Sequence, residues 1–125
     1  MDQDKKILVV EDEENLRNIL CKEIIKAGYV AIPAKDGQEG IDLAYKEHPD
    51  LVLLDLLMPK VMGLNVLDKI RKDEWGKNVP VIILTNLDYE EKKKELQDDP
   101  NCEYLIKASW RLHDVVRKVK ERINR

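Results

Sequence analysis

Asp55 is the residue of this chain best suited to chemistry, because its carboxylate stands within a long apolar run. The run covers residues 51–58 with the sequence LVLLDLLM and lies between Pro49 and Pro59. A continuous apolar stretch of this length indicates a buried parallel strand. An ionised carboxylate is costly to bury there unless something compensates its charge. Taken alone, Asp55 could be a strand-end acid that reaches water, but its position also indicates a chemical role.

Other chemically capable side chains follow other short apolar runs, namely Glu11, Asp12, Thr85 and Lys107. If these runs are parallel strands, their carboxyl ends meet at one edge of the sheet. Three carboxylates packed together repel one another, and a hard cation such as Mg²⁺ would neutralise them. A metal ion, an ammonium group and a hydroxyl group suit the oxygens of a transferring phosphoryl group. We therefore predict a magnesium site at which Asp55 is the nucleophile and forms an acyl phosphate.

Short apolar runs alternate with amphipathic segments along the whole chain. Strands are predicted at residues 7–10, 29–32, 51–58, 79–84 and 104–106, each followed by a helix. The first predicted helix ends at Gly28 and carries an apolar face that includes Ile19. The second predicted helix covers residues 38–46 and is weakened by Gly40. The third is predicted to begin at Gly63, the fourth covers 89–97, and the last follows an N-cap at Ser109. Its apolar stripe consists of Leu112, Val115, Val116, Val119 and Ile123.

This alternation predicts the α/β class, with a parallel sheet covered by helices on both faces. The expected architecture is a flavodoxin-like, doubly wound (βα)5 fold whose five strands are ordered 2-1-3-4-5. Residues 1–125 are expected to form one domain with no second domain after it. The chain has 125 residues, and no internal repeat or linker is evident.

The composition excludes several classes of protein. The net charge of −3 argues against direct nucleic-acid binding, which usually needs a basic excess. No apolar run approaches the length of a membrane span, and the acidic start of the chain does not resemble a signal peptide. The two cysteines, Cys21 and Cys102, are too few for a metal knuckle or a disulfide framework. We expect a cytoplasmic protein with reduced thiols.

Four segments of the chain resemble the landmarks of bacterial response-regulator receiver domains. They read VVEDE at 9–13, LDLLMPKVMG at 54–63, ILT at 83–85 and YLIK at 104–107. The resemblance implies that Asp55 accepts phosphate from the phosphohistidine of a histidine kinase or phosphotransfer protein. It also implies that Asp12, Asp55 and the backbone carbonyl of Leu57 bind Mg²⁺ directly, while Glu11 helps through water.

The resemblance further implies how a signal leaves the site. Lys107 would contact the phosphoryl group, and Thr85 would move toward it after transfer. Tyr104 would turn inward in step and reshape the face formed by the fourth predicted helix, the fifth strand and the last helix. An unknown downstream protein would then bind this face. On this reading the chain is a stand-alone switch that catalyses only its own phosphorylation and dephosphorylation.

Two other functions stay open at this point. The family usually has Pro after the lysine and a small residue after the threonine, whereas this chain has Ala108 and Asn86. These departures allow a binding module that keeps the fold but not the switch. A phosphohydrolase with an aspartyl intermediate would need a second acid soon after the nucleophile, and Leu56 and Leu57 occupy those places. The chain could also be the receiver part of a longer regulator.

Overall fold

The three-dimensional structure is a computed structural model. It describes residues 5–55, 61–85, 99–106 and 111–124, without the side chains of residues 61–64, 85 and 106. The strands are β1 (Lys6–Val10), β2 (Val30–Ala34), β3 (Leu51–Asp55), β4 (Val81–Thr85) and β5 (Cys102–Ile106). The described helices are α1 (Glu14–Lys26), α2 (Gly37–Glu47), α3 (Val61–Lys72) and a C-terminal helix (Leu112–Ile123). The strands form one parallel sheet in the order β2-β1-β3-β4-β5, which confirms the predicted fold.

The alternation of side chains along the strands divides the core into two layers, one on each face of the sheet. Leu51 and Leu53 of β3 pack in the layer that contains α1 and the C-terminal helix. Val52 and Leu54 pack in the opposite layer, with α2 and α3. Strands covered on both faces need a nearly continuous apolar sequence, and this requirement explains the run that precedes Asp55. No helix in the described part of the chain is both long enough and apolar enough to cross a membrane.

The apolar face of α1 is narrower than the sequence predicts. Leu20 and Ile24 are fully buried, whereas the side chain of Ile19 is 46% exposed. One residue corresponds to a rotation of about 100° around a helix axis, so Ile19 is turned away from the layer that Leu20 enters. Gly28 does end the helix as predicted, because its φ of 97° is a left-handed conformation that glycine adopts without strain.

Several predicted boundaries shift in the structure. The third helix begins at Val61 and not at Gly63, and β2 extends through Pro33, which an edge strand tolerates because only one side of it is paired. The C-terminal helix begins at Leu112 with Arg111 as its N-cap, so the predicted N-cap at Ser109 is wrong. The Asp114 carboxylate accepts the backbone N–H of Arg111 at 2.9 Å and stabilises this start. The helix predicted at 89–97 lies outside the described residues.

Arg71 joins the end of α3 to the turn that precedes β5. Its Nε atom lies 2.7 Å from Oδ2 of Asp99. One Nη atom donates to the carbonyl oxygens of Gly76 and Val79 at 2.8 and 2.7 Å, and the other donates to that of Asn101 at 3.2 Å. A guanidinium group has enough donors in one plane to satisfy all four partners. The arginine therefore fixes the start of β5 against the α3–β4 connection.

Glu103 of the edge strand β5 fastens the C-terminal helix to the sheet. Its Oε1 accepts hydrogen bonds from Nε and Nη2 of Arg122 at 3.2 and 2.9 Å, and its Oε2 lies 3.1 Å from Nζ of Lys118. Partial burial would raise the pKa of Glu103. The two cations outweigh that effect and hold the pKa below its usual range.

Gly40 lets α2 lie directly on β1. A Cβ atom at position 40 would stand 2.9 Å from Cγ2 and 3.0 Å from Cγ1 of Val10, a stiff side chain in the buried core. The glycine that weakens the predicted helix is therefore required by packing.

Replacing Gly40 tests this close approach. Alanine would stabilise an unconstrained helix interior by about 1 kcal/mol, but overpacking a core costs about 1–3 kcal/mol. We expect Gly40→Ala to lower the free energy of unfolding, measured by urea denaturation. In a Val10→Ala background the same change should become neutral or stabilising, because the opposing methyl groups are gone. Equal stabilisation in both backgrounds would contradict the packing explanation.

Glu103→Gln tests the ion pairs of β5. Because the folded pKa lies below the unfolded one, the ionised group stabilises the fold above the ordinary glutamate pKa of about 4.3, and this stabilisation is lost as the pH falls through the folded pKa. We expect the variant to lose roughly 1 kcal/mol at neutral pH and to approach the wild type in acid. Glu121→Gln, at a 48% exposed partner of Lys118, should change little. A pH-independent difference would refute the assignment.

Candidate metal centre

Adjacent strands bring Glu11 and Asp55 side by side. Val10 of β1 is in register with Leu54 of β3, Glu11 follows β1 directly, and Asp55 is the last residue of β3. Neighbouring strands lie about 4.8 Å apart, so two acids at the same level of the sheet must come close. The backbone N–H of Glu11 also donates to the carbonyl oxygen of Ala34 at 3.0 Å, which ties the residue to β2.

Three carboxylates form a compact cluster at this edge. One oxygen from each of Glu11, Asp12 and Asp55 lies within 4.8 Å of the other two. Glu11 is 1% exposed and Asp55 is 2% exposed, whereas Asp12 is open to solvent. Carboxylates are rarely buried to this extent unless they are paired or bind a metal. The cluster is therefore closed toward the core and open on the side of Asp12.

The electrostatics of the cluster are unfavourable without a cation. Burial, and after it the neighbouring carboxyl of Asp55, raise the pKa of Glu11 to about 9, although the backbone N–H of Glu13 acts in the opposite direction. That N–H donates to Oε2 of Glu11 at 3.0 Å. The other oxygen, Oε1, is buried and has no hydrogen-bond partner in the described part of the chain. A buried acceptor left unsatisfied in this way costs about 1–3 kcal/mol.

The donor set fits a hard divalent cation. Mg²⁺ is bound in proteins by one or two carboxylates and keeps several waters. The cluster offers three carboxylates and an open side on which water can remain, and one of the carboxylates has a buried oxygen without a hydrogen-bond partner in residues 5–55, 61–85, 99–106 and 111–124. The residues present thus fit the predicted magnesium ion, and a positive charge among them would remove the cause of the raised pKa of Glu11.

The short loop that carries two of the acids is held by α1. The backbone N–H of Arg17 donates to the carbonyl oxygen of Glu13 at 2.9 Å. Its side chain folds back, and Nη1 donates to the carbonyl oxygen of Glu11 at 3.0 Å. Arg17 is not among the site residues predicted from the sequence. The only signal in the sequence is a long cationic side chain within the first two turns of the helix that follows the acidic residues.

The structure describes some of the remaining predicted site residues fully, some in part and some not at all. Thr85 ends β4, and β4 pairs directly with β3, but the side chain of Thr85 is not described. Tyr104 lies in the middle of β5, is partly buried, and packs against the α2–α3 layer. Lys107 and Leu57 lie outside the described residues. The structure brings the three predicted acids together, and the roles of all the predicted site residues stay predictions.

The chain belongs to the response regulator receiver domain family, whose sequence profile matches residues 7–120. Receiver domains are phosphoacceptor switches of two-component signalling and not classical enzymes. Among curated proteins, the probable transcriptional regulator ycf27 of Guillardia theta is 43% identical over 83 residues, which cover 66% of this chain and 32% of that protein. The chain therefore spans about a third of the length of such relatives.

Solved structures agree with this family. The receiver domain of the Francisella response regulator 1452 superposes with a TM-score of 0.83 at 28% identity, over 96% of this chain and 97% of that one. The chemotaxis response regulator CheY4 of Vibrio cholerae has a TM-score of 0.83 at 25% identity, over 94% and 98%. The similarity thus extends over nearly the whole of both chains.

Glu11→Gln tests the strain in the acidic cluster. In EDTA at neutral pH we expect the variant to raise the free energy of unfolding by about 1–3 kcal/mol, because an amide removes a buried acid and can donate to Asp55. Urea denaturation without and with MgCl₂ measures the free energy of unfolding in the absence of the ion and the increase that the ion brings. The wild type should gain stability from Mg²⁺, and the variant should gain less.

Glu14→Gln is the matched control, because Glu14 is an exposed acid in the first turn of α1. It should leave both the stability in EDTA and the response to Mg²⁺ nearly unchanged. A Glu11→Gln variant that is destabilised in EDTA and keeps the full response to Mg²⁺ would contradict the account of the cluster.

Proposed function

We propose that Asp55 is the phosphoacceptor of this receiver domain and that it takes phosphate from the phosphohistidine of a histidine kinase or a phosphotransfer protein. The observation that carries the proposal is the position of Asp55, which is buried at the end of a central strand beside Glu11 and Asp12. A carboxylate there is expensive for the fold. A reaction at its oxygen would explain why an acid occupies this position, which packing does not explain.

The chemistry follows from the arrangement of the acids. A carboxylate oxygen of Asp55 attacks the phosphorus atom, an O–P bond forms, and the P–N bond of the phosphohistidine breaks. Asp12 and Asp55 would hold Mg²⁺ with the carbonyl oxygen of Leu57, and Glu11 would act through water. When bound, the ion offsets the negative charge on the phosphoryl oxygens and on the acids around them. Hydrolysis of the acyl phosphate at the same site would return the domain to its resting state.

Lys107 and Thr85 complete the proposed site. Lys107 would pair with a phosphoryl oxygen, and the hydroxyl group of Thr85 would donate to another. The support for Thr85 is its place at the end of β4, whose residue Leu84 is in register with Asp55. Tyr104 would turn inward together with Thr85, because β5, which carries Tyr104, pairs with β4, which ends at Thr85. A shift of these residues would alter the face formed by β5, the C-terminal helix and the segment before β5.

The proposed output is a protein contact, and the downstream protein is unidentified. Direct binding of nucleic acid is not part of the proposal, because the chain has a net charge of −3. The ycf27 relative is a probable transcriptional regulator and about three times as long as the matched region. The sequence-based expectations of a single-domain protein and of a cytoplasmic location stay predictions.

Phosphorylation by a small donor tests the proposal. We expect the purified chain, incubated with acetyl phosphate and Mg²⁺, to gain the mass of one phosphoryl group in intact mass spectrometry. Asp55→Asn should abolish the gain, because an amide is not a nucleophile of this kind, and EDTA should suppress it. Asp68→Asn is the control, since Asp68 is an exposed acid of α3 paired only with Lys72 among the ion pairs described.

Two results would overturn the assignment. A phosphoryl group gained equally by Asp55→Asn would place the acceptor elsewhere. No gain by the wild type, under conditions in which a known receiver domain is modified, would favour the binding module without a switch.

A further inference from the structure

We infer that Arg17 is a positioning residue for the magnesium site, which it serves by holding the backbone that carries Glu11 and Asp12. This inference rests on the proposed function of the acidic cluster. The guanidinium Nη1 donates to the carbonyl oxygen of Glu11 at 3.0 Å and reaches that of Asp12 at 3.5 Å. The first contact is a hydrogen bond of ordinary length, and the second is at the weak limit.

The direction of a carboxylate depends on the backbone that bears it. Residues 11–13 leave β1 and enter α1 within three positions, so a small rotation of a peptide group there would swing both acids. Three backbone contacts hold the loop, from Glu11 to Ala34, from Arg17 to Glu13, and from Glu13 to the Glu11 side chain. None of these three contacts donates to the carbonyl oxygen of residue 11 or 12, whereas the Arg17 side chain donates to the first and reaches the second.

The charge of Arg17 makes the inference unusually testable. A cation near a metal site repels a second cation, so removing its charge should by itself tighten Mg²⁺ binding. The loss of its hydrogen bonds should weaken binding, because residues that orient metal ligands contribute about 10–100-fold to affinity. The two effects have opposite signs. Because the guanidinium bonds neutral carbonyl oxygens and not the carboxylates, it need not be displaced when a metal ion binds.

Arg17 also keeps its own helix in place while it holds the loop. Its backbone N–H makes the first hydrogen bond of α1, to Glu13, and its side chain is only partly exposed. The residue thus connects α1 to the metal-binding loop through both its backbone and its side chain. A displacement of α1 would therefore reach the acids through the Arg17 side chain as well as through residues 11–13 themselves.

The test compares Arg17→Met, Arg17→Lys and the wild type by calorimetric titration with MgCl₂. Methionine keeps much of the apolar stem and removes both the donors and the charge, so we expect a loss of affinity of about tenfold. Lysine keeps the charge but has no planar fork of donors, so a smaller loss is expected. Lys22→Met, which removes a charge from an exposed position of the same helix, should bind Mg²⁺ as the wild type does or slightly more tightly.

A second readout separates positioning from general damage. In phosphorylation by acetyl phosphate, the Mg²⁺ concentration that gives half the maximal rate should rise in Arg17→Met, while the rate at saturating Mg²⁺ stays close to that of the wild type. If Arg17→Met fails to fold, as judged by urea denaturation, Arg17→Lys still has to show the loss of affinity. Unchanged or tighter binding by a folded Arg17 variant would overturn the inference alone. A wild type without affinity for Mg²⁺ would overturn the proposed function as well.

Discussion

The structure depends on the cost of placing carboxylates at the end of a buried parallel sheet. Glu11 and Asp55 end adjacent strands at the same level, and the register of those strands leaves them no freedom to separate. Burial, and after it the hydrogen-bonding carboxyl of Asp55, raise the pKa of Glu11 to about 9, and one Glu11 oxygen has no hydrogen-bond partner among the residues that the structure describes. The fold sustains this arrangement through two layers around the central strands, in which the buried side chains are aliphatic. A bound cation would relieve these unfavourable electrostatics.

Contacts at opposite ends of the sheet hold its strands in place. Arg17 and the backbone of Ala34 hold the loop after β1. Arg71 anchors the turn before β5, and Glu103 ties the same strand to the C-terminal helix. Both anchors lie at the start of β5, one toward α3 and the other toward the C-terminal helix, so this end of the strand is held from both faces of the sheet.

The architecture could be predicted from the sequence because its determinants are local and periodic. The alternation of apolar runs and amphipathic segments determines a parallel doubly wound sheet, and that topology alone brings Glu11, Asp12 and Asp55 to one edge. The helix boundaries were less predictable. Ser109 is a favourable N-cap by residue type, but the helix begins later because the Asp114 carboxylate satisfies the N–H of Arg111.

Features that depend on tertiary contacts could not be predicted from the sequence alone. Gly40 resembles a weak position in a helix until the Val10 side chain is placed against it. Ile19 follows the helical period, yet it is turned away from the layer that Leu20 enters and its side chain is 46% exposed. The part of Arg17 could not be inferred either, because its partners are backbone carbonyl oxygens, which no residue type reveals.

The most direct test of the account is paramagnetic NMR with Mn²⁺ in place of Mg²⁺, since the two ions prefer similar oxygen ligands. Signal broadening reports distance from the bound ion without reference to phosphorylation or stability. The account predicts that low concentrations of Mn²⁺ selectively broaden the amide signals of Glu11, Asp12 and Asp55, and that added Mg²⁺ restores them. Broadening centred on the exposed acids of the helices, with these three signals unaffected, would contradict the central claim.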